Sequence, residues 1–297
     1  VRLGIDLGGT KIEICALDTQ GRARYRQRIK TPSQEGYAAI VEAIAGLVFA
    51  ADQALGERGT LGLGVPGAIS RASGLMKNAN TTCLIGKPLL ADVAQAVGRP
   101  VRLANDANCF ALSEASDGAG AGAEVVFGVI LGTGCGGGVV VRGAVLEGAN
   151  AIAGEWGHNP LPWANEEERP GPGCYCGKQG CVETFCSGPG MARDFAVHTG
   201  QSVPARDICA RAEALDPLAR ACVERYCERL AKSLAVVINV LDPQVIVLGG
   251  GVSLCRALYD EVPKRWGRYV FSDRVDTALR PALHGDSSGV RGAAWLW

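Results

Sequence analysis

The chain has 297 residues, enough for about two domains at roughly 150 residues each. Its 30 Lys plus Arg are balanced by 30 Asp plus Glu, so no cation excess is available to meet a phosphate backbone or an anionic membrane, and neither nucleic acid nor membrane is an expected partner. Glycine is the compositional signal to follow, at 41 residues, about 14% of the chain and roughly twice the usual share.

Asp6 and Lys11 stand where the apolar core of a secretory leader would lie, so the expected compartment is the cytosol. The longest charge-free apolar stretch, residues 125–141, carries Gly128, Gly132, Gly134, Gly136, Gly137 and Gly138 and is too short for a bilayer-spanning helix.

In chain order the pattern opens as a β-meander. Strands are expected at residues 3–7, 12–17 and 24–29, separated by Gly8-Gly9 and by Asp18-Thr19-Gln20-Gly21. Residues 37–55 place Ile40, Val41, Ile44, Leu47 and Val48 at helical spacing and stop before Gly56, which predicts a helix packed on a sheet. A strand at 61–65 breaks at Pro66-Gly67, and a helix over about 89–97 leads to a strand at 101–104. That strand runs directly into Asn105-Asp106 and a helix ending near Gly118, so a carboxylate stands where a strand hands over to a helix N-terminus. At Glu124 the plan restarts, with strands at 125–131, 138–141 and 144–146 around a glycine loop and an Arg142-Gly143 turn, which suggests a duplicated α/β unit. Residues 147–187 lack periodicity; a helix over about 217–240, a strand at 245–248, more glycines and a further helix follow.

Three segments fit loops that bring backbone N–H groups to phosphate: Asp6-Leu7-Gly8-Gly9-Thr10-Lys11, the run from Leu131 through Gly132-Thr133-Gly134 to Gly138, and Gly249-Gly250-Gly251. Glycine permits the positive φ and close approach that an anion requires. Gly132-x-Gly134-x-x-Gly137 and Gly62-x-Gly64-x-x-Gly67 match the dinucleotide fingerprint, but that reading demands a helix directly afterwards, and the former is followed by Val139-Val140-Val141 and a turn. No GxxxxGK[ST] occurs, which excludes a P-loop. A tight hairpin explains any one such turn; two of them opening two halves, each with a Thr after glycine, point to nucleotide phosphates. Asp6 is then placed to anchor Mg²⁺, Gly8, Gly9 and Thr10 to face the transferred phosphoryl group, and Thr133 and Gly134 to meet the other phosphates. Lys11 is either a phosphate partner or a solvated hairpin charge.

Phosphoryl transfer to a hydroxyl needs a base, for which Asp106 is the candidate; its alternative role is to cap the following helix. Glu155, His158 and Glu183 lie in glycine-bounded or cysteine-flanked segments and suit the paired donor and acceptor needs of sugar hydroxyls. His158, Cys174, Cys176 and Cys181 form a His-x15-Cys-x-Cys-x4-Cys array, one imidazole with three thiolates, the donor set of structural zinc. The surrounding Pro170-Gly171-Pro172-Gly173 offers no hydrophobic pattern to fix the backbone, so a metal supplies the organising energy. Disulfides are not expected in the cytosol, and reduced spectator thiols are the alternative. Zinc on one ring nitrogen of His158 would leave the other to donate to a sugar hydroxyl. Cys186 clusters with these thiols in sequence without an assigned role, and the remaining cysteines are scattered singly.

Together, Asp6-Leu-Gly-Gly-Thr-Lys11, Leu103-Ala-Asn-Asp-Ala-Asn108, Leu131-Gly-Thr-Gly-Cys-Gly-Gly-Gly138, Gly154-Glu-Trp-Gly-His158, Cys174-Tyr-Cys-Gly-Lys-Gln-Gly-Cys181 and Val247-Leu-Gly-Gly-Gly251 resemble the ROK (repressor, open reading frame, kinase) sugar kinases over essentially the whole chain. Lys77-Asn-Ala-Asn80 and the segments 156–163 and 284–297 are most similar to bacterial fructokinases, with N-acetylglucosamine kinases and glucokinases as nearest competitors. The resemblance implies an α/β, actin-like ATPase (ribonuclease H-like) fold of two α/β domains around a central ligand cleft. The smaller domain would comprise residues 1–117 and a returning helix at 286–297, the larger one 118–285 with the zinc loop. It further implies ATP- and Mg²⁺-dependent phosphorylation of the C6 hydroxyl of fructose, with mannose and glucose weaker, by a homodimer using Asp106 as base. Carried residue by residue, sugar contacts fall on Gly67, Asn80, Asn105, Asp106, Glu155, His158 and Glu183. Nucleotide contacts fall on Asp6, Gly8, Gly9, Thr10, Lys11, Gly132, Thr133, Gly134, Gly249, Gly250 and Gly251.

Two other functions compete. A sugar-responsive regulator would need a helix-turn-helix ahead of the first strand, which is expected to begin at residue 2. A nicotinamide-dependent oxidoreductase would need a helix after Gly137.

Overall fold

The computed structural model describes residues 1–79 and 81–297, so Asn80, expected to touch the sugar, lies outside the described residues. Backbone contacts divide the chain into two units, Val1–Ala121 with Gly138–Ala153 and Asp286–Trp297, and Gly122–Gly137 with Gly154–Gly285.

The first unit begins with β1 (Arg2–Leu7), β2 (Lys11–Leu17), β3 (Ala23–Lys30), α1 (Tyr37–Leu55) and β4 (Thr60–Val65). The small hairpin β5 (Ala68–Ile69) and β6 (Met76–Lys77) follows, then α2 (Leu89–Val97), β7 (Val101–Asn105) and α3 (Asp106–Ser116). The sheet order is β3-β2-β1-β4-β7, antiparallel across β3, β2 and β1 and parallel across β1, β4 and β7. α1 and α2 stop where Gly56 and Gly98 take the left-handed conformation that ends a helix without a Cβ clash. By length and composition α1 is apolar enough to cross a membrane, yet Ile40, Ile44, Leu47, Val48 and Ala51 fill the core of this unit with Leu3, Ile5, Ile12 and Ile14.

The remaining elements are β8 (Val125–Leu131), β9 (Cys135–Val141), β10 (Ala144–Val145), α4 (Val182–Cys186), α5 (Gly188–Thr199), α6 (Ala205–Glu213), α7 (Pro217–Leu241), β11 (Val245–Gly249), α8 (Ala257–Trp266), β12 (Ala278–Pro281) and α9 (Ser288–Ala294). Their strands pair in the order β10-β9-β8-β11-β12, with β9 and β10 antiparallel and β8, β11 and β12 parallel. This repeats the first sheet strand for strand, as the restart at Glu124 suggested.

In the second unit, Asp216 starts α7 by accepting from the amides of Leu218 (2.9 Å) and Ala219 (3.3 Å), with Pro217 in the first turn where its missing N–H costs nothing. The inward face of α7 buries Cys222, Tyr226, Leu230 and Leu234. From the same face Arg229 bridges Glu168 and Asp194, each at 2.7 Å, and Tyr226 donates to the Cys186 carbonyl at 2.6 Å. The aperiodic stretch thus has an ionic anchor on α7 in addition to its cysteines.

α9 packs in the first unit, and the approach is backbone to backbone. A Cβ on Gly62 would lie 1.8 Å from the Ala293 carbonyl oxygen and one on Gly4 2.1 Å from that of Val290, so only glycine in β1 and β4 accepts this helix.

Candidate functional site

In the first unit, β1 and β2 are joined by Gly8-Gly9-Thr10 in a tight hairpin, closed by Gly8 N–H to the Lys11 carbonyl (2.9 Å). The Thr31 hydroxyl donates to the Gly8 carbonyl (2.7 Å), and the Thr31 amide to the Thr10 carbonyl (3.0 Å), fixing the turn from β3's end. Thr81, which no sequence pattern marked, adds a buried hydroxyl without a hydrogen-bond partner among the described residues, 3.6 Å from where a Gly9 Cβ would sit.

Asp6, next to last in β1, stands opposite Glu13. Burial, and next the charge of Asp106, push its carboxyl up to about 6, while Lys11 pulls the other way. Glu13 is buried between Arg26 and Arg28, the latter at 2.6 Å. Of Asn105 and Asp106, it is Asn105 that caps the following helix. Asn105 is the N-cap of α3, its side-chain oxygen accepting from the Asn108 amide at 2.7 Å, which leaves its NH₂ as a donor outside the cap. Asp106 is the first helical residue; it accepts from the Ala107 amide at 2.8 Å, and burial raises its carboxyl pKa. A carboxyl so raised is the better proton acceptor, which suits a base. Gly67 has a local reason of its own: at φ 98° it lets the chain pass residues 77–79, where a Cβ would lie 2.5 Å from the Lys77 carbonyl oxygen.

β8 and β9 form the other hairpin, whose turn belongs to the second unit, Gly132 N–H bonding the Gly134 carbonyl at 3.0 Å. A strand, β9, follows the glycines where a dinucleotide fold would need a helix, so the nicotinamide reading falls. The third loop lies alongside: Gly250, at φ 82°, fits only because it lacks a Cβ, which would lie 2.5 Å from the Leu131 carbonyl oxygen. The N-terminus of α5 joins them, the Gly188 amide donating to the Gly132 carbonyl at 2.8 Å. Two glycine turns and a helix start therefore converge, an arrangement suited to an anion.

Glu183, at the start of α4, links this region to the cysteines. Its Oε2 accepts from the Cys135 amide at 3.0 Å and occupies the space of a Gly134 side chain, while Oε1 lies 4.0 Å from the Cys174 sulfur. The donor atoms of His158, Cys174, Cys176 and Cys181 all lie within 4.8 Å of one another. Cys174 Sγ is 3.5 Å from His158 Nδ1, and Cys176 Sγ 3.6 Å from Cys181 Sγ. Zn–S bonds near 2.3 Å in a tetrahedron separate neighbouring ligand atoms by about 3.7 Å, so the set fits zinc. The segment carrying His158 is held on β9: the Trp156 indole donates to the Gly136 carbonyl (3.1 Å), and a Cβ on Gly157 would collide with the Cys135 carbonyl oxygen.

The Nε2 of His158 lies 2.9 Å from the Tyr175 hydroxyl. Cys186 stands apart from the donor set, fully buried beneath α7, where burial pushes its thiol up to about 12. Burial and then the Glu183 and Glu155 charges raise the Tyr175 phenol.

Twin sheets of this order, each opened by a glycine hairpin, define the actin-like ATPase fold of the sugar kinases. Among solved structures the chain superimposes on a ROK hexokinase from Thermus thermophilus with TM-score 0.88 at 34% identity, covering 99% of this chain and 97% of that one. It superimposes on a ROK glucokinase from Streptomyces griseus, solved with glucose and AMPPNP, with TM-score 0.76 at 29% identity and the same coverage. An N-acetyl-D-glucosamine kinase of Vibrio cholerae is 43% identical over 297 residues, 99% of this chain and 98% of the relative. The ROK family pattern matches residues 2–297, and the chain belongs to that family.

Proposed function

We propose that this protein transfers the terminal phosphoryl group of ATP to the C6 hydroxyl of N-acetyl-D-glucosamine. The observation that carries the sugar choice is the 43% identity, end to end, with the Vibrio cholerae enzyme, supported by 40% with its Citrobacter koseri counterpart. Fructose, which the motifs favoured, has no counterpart among these relatives. The reason lies in the segments that suggested it. Residues 284–297 build α9 and its packing on β1 and β4, and residues 156–163 dock on β9 and offer the Trp163 carbonyl to Lys232. Most of these residues thus have packing roles of their own, which do not select one sugar over another.

In this reading Asp106 takes the proton of the attacking hydroxyl. The glycine turns at 8–10, 132–134 and 249–251, with Lys11, cradle the nucleotide, and Asn105, Glu155, His158 and Glu183, with Asn80 and the backbone at Gly67, hold the sugar. Asp6, whose carboxyl is raised partly by Asp106, is the residue that would hold Mg²⁺, because a divalent cation relieves the repulsion between the two carboxylates. When bound, that ion would neutralise charge on the transferring group. Zinc held by His158, Cys174, Cys176 and Cys181 would fix the loop that presents Glu155 and Glu183.

One coupled assay with N-acetylglucosamine, glucose, mannose and fructose tests the choice: N-acetylglucosamine should give the highest kcat/KM, and a higher value for fructose overturns it. In the same assay Asp106→Asn should lower kcat by about 10²- to 10⁴-fold with sugar binding retained. Near-normal turnover would remove Asp106 as base.

A further inference from the structure

We propose that Cys255 and Cys209 form a peroxide-reactive thiol pair: a hydroperoxide oxidises Cys255, Cys209 closes a disulfide with it, and the disulfide loosens the third glycine loop's hold on nucleotide. The thiol chemistry goes beyond the kinase reading, and only its effect on nucleotide rests on that reading. The two cysteines are distant in sequence and meet in the second unit. Cys209 lies on α6, and Cys255 stands between the turn at 251–254 and α8. Both are free thiols, at most 8% exposed, and both line one cavity of about 260 Å³ with Cys227 and Glu213, which gives a small hydroperoxide room to reach the sulfurs. The Cys209 thiol donates to the Cys255 sulfur, which also accepts from the Ala257 and Leu258 amides at the start of α8. The Met191 sulfur, 3.8 Å from that of Cys209, is a thioether and cannot enter a disulfide.

These contacts divide the labour. The Cys209 hydrogen bond, and after it the Ala257 and Leu258 amides, hold Cys255 below the ordinary thiol range against burial and the Glu213 charge, as a helix N-terminus does for reactive cysteines. The same hydrogen bond, with burial, raises Cys209, and burial pushes the Cys227 thiol up to about 12. Cys255 is therefore the nucleophile of the cavity. Its thiolate attacks one peroxide oxygen, the O–O bond breaks, and the other oxygen leaves with a proton as alcohol or water, giving a sulfenic acid. Cys209 sulfur then attacks the Cys255 sulfur; the S–S bond forms, the S–O bond breaks, and the oxygen leaves with the Cys209 proton as water. In sum, two thiols and one hydroperoxide give one disulfide, one alcohol and one water. Bonding requires the sulfurs to approach to about 2 Å, and that movement has a rigid path to the glycine loop. Cys255 N–H bonds the Val252 carbonyl at 3.0 Å, while the Ser253 amide and hydroxyl both bond the Gly250 carbonyl, at 3.1 and 2.7 Å. Gly250 has no slack of its own, packed as it is on Leu131.

The test treats the zinc-loaded full chain with hydrogen peroxide and maps it by trypsin and mass spectrometry. Peptides 207–211 and 233–256 should be found joined, and separated again by dithiothreitol. Cys209→Ser, shown to be folded by circular dichroism, should lose the link and carry a dimedone-labelled sulfenic acid at Cys255, while Cys227→Ser should link as wild type does. Oxidation should raise the KM for ATP of wild type at least about 5-fold, the low end of coupling between distinct sites, reversibly, and leave that of Cys209→Ser unchanged. Damage at the zinc thiols would strike both proteins alike, so the difference between them belongs to this pair. No link, a link from Cys255 to another cysteine, dimedone on Cys209 in place of Cys255, or linked protein with an unchanged KM for ATP would each overturn the proposal. A protein that forms the link but phosphorylates no sugar would refute the kinase reading alone.

Discussion

Asp6 is held as an anion in the folded protein at neutral pH although burial and Asp106 raise its carboxyl to about 6, against an ordinary value of 3.8. The folded chain therefore binds a proton more readily than the unfolded chain between about pH 4 and 6. Stability associated with this group is greatest below the unfolded value and is lost as pH rises through the folded one. Replacing Asp6 with Asn should remove that strain. At about 1.4 kcal/mol per pK unit, reduced for solvent screening, the variant should gain about 1–3 kcal/mol at pH 7.5 and nothing at pH 4, as read from urea midpoints. A loss of stability, or a gain independent of pH, would contradict the assignment. At this same scale the sequence marked candidate residues for the chemistry but not how they share it. Asn105 and Asp106 are equally able to cap a helix, and only the bond from the Asn108 amide to the Asn105 side chain shows which of them does. The contact between Tyr175 and His158 gave no signal at all, because it depends on a turn that brings the phenol oxygen back to a residue 17 positions earlier.

Among the elements, what was legible followed local rules and what was not depended on distant partners. The hairpin at Gly8-Gly9-Thr10 could be read because alternating apolar residues flank glycines, and α1 and α2 because helical spacing ends at Gly56 and Gly98. α5, α6 and β12 were not marked individually. β12 is four residues, none of them buried, ending in Pro281, too short for a period. The aperiodic stretch before α5 was assigned one organiser, the metal set, on the ground that no hydrophobic pattern could fix it. The structure adds Arg229, which reaches Glu168 across 61 positions and Asp194 across 35. Such a buried ionic node leaves no trace in periodicity, since each charge viewed alone looks like a solvated one. Gly67, expected near a ligand, also has a cause in the backbone it passes.

For the molecule as a whole, duplication explains the matching strand orders of the two sheets, and the clearest departure from a simple repeat is the return of α9 to the first unit. The last twelve residues, Asp286–Trp297, are therefore part of the core that the first residues begin. Val290, Ala293 and Ala294 are at most 1% exposed, the Ser288 hydroxyl donates to the buried Glu114 carboxylate at 2.8 Å, and the Trp297 indole donates to the Leu61 carbonyl at 2.7 Å. Burial of the valine alone is worth about 1.5–3 kcal/mol, and a buried hydrogen bond to a charged group about 1.5–3 kcal/mol. With the backbone grooves at Gly4 and Gly62 left open as well, the loss approaches the roughly 5–15 kcal/mol by which a whole domain is stable. A chain ending at Gly285 should accordingly show β1 and β4 amides exchanging with solvent as in an unfolded segment, while α7, whose buried partners lie elsewhere, keeps its protection. Hydrogen exchange followed by mass spectrometry decides it: wild-type protection in β1 and β4 of the shortened chain would mean that α9 decorates the first unit without holding it together.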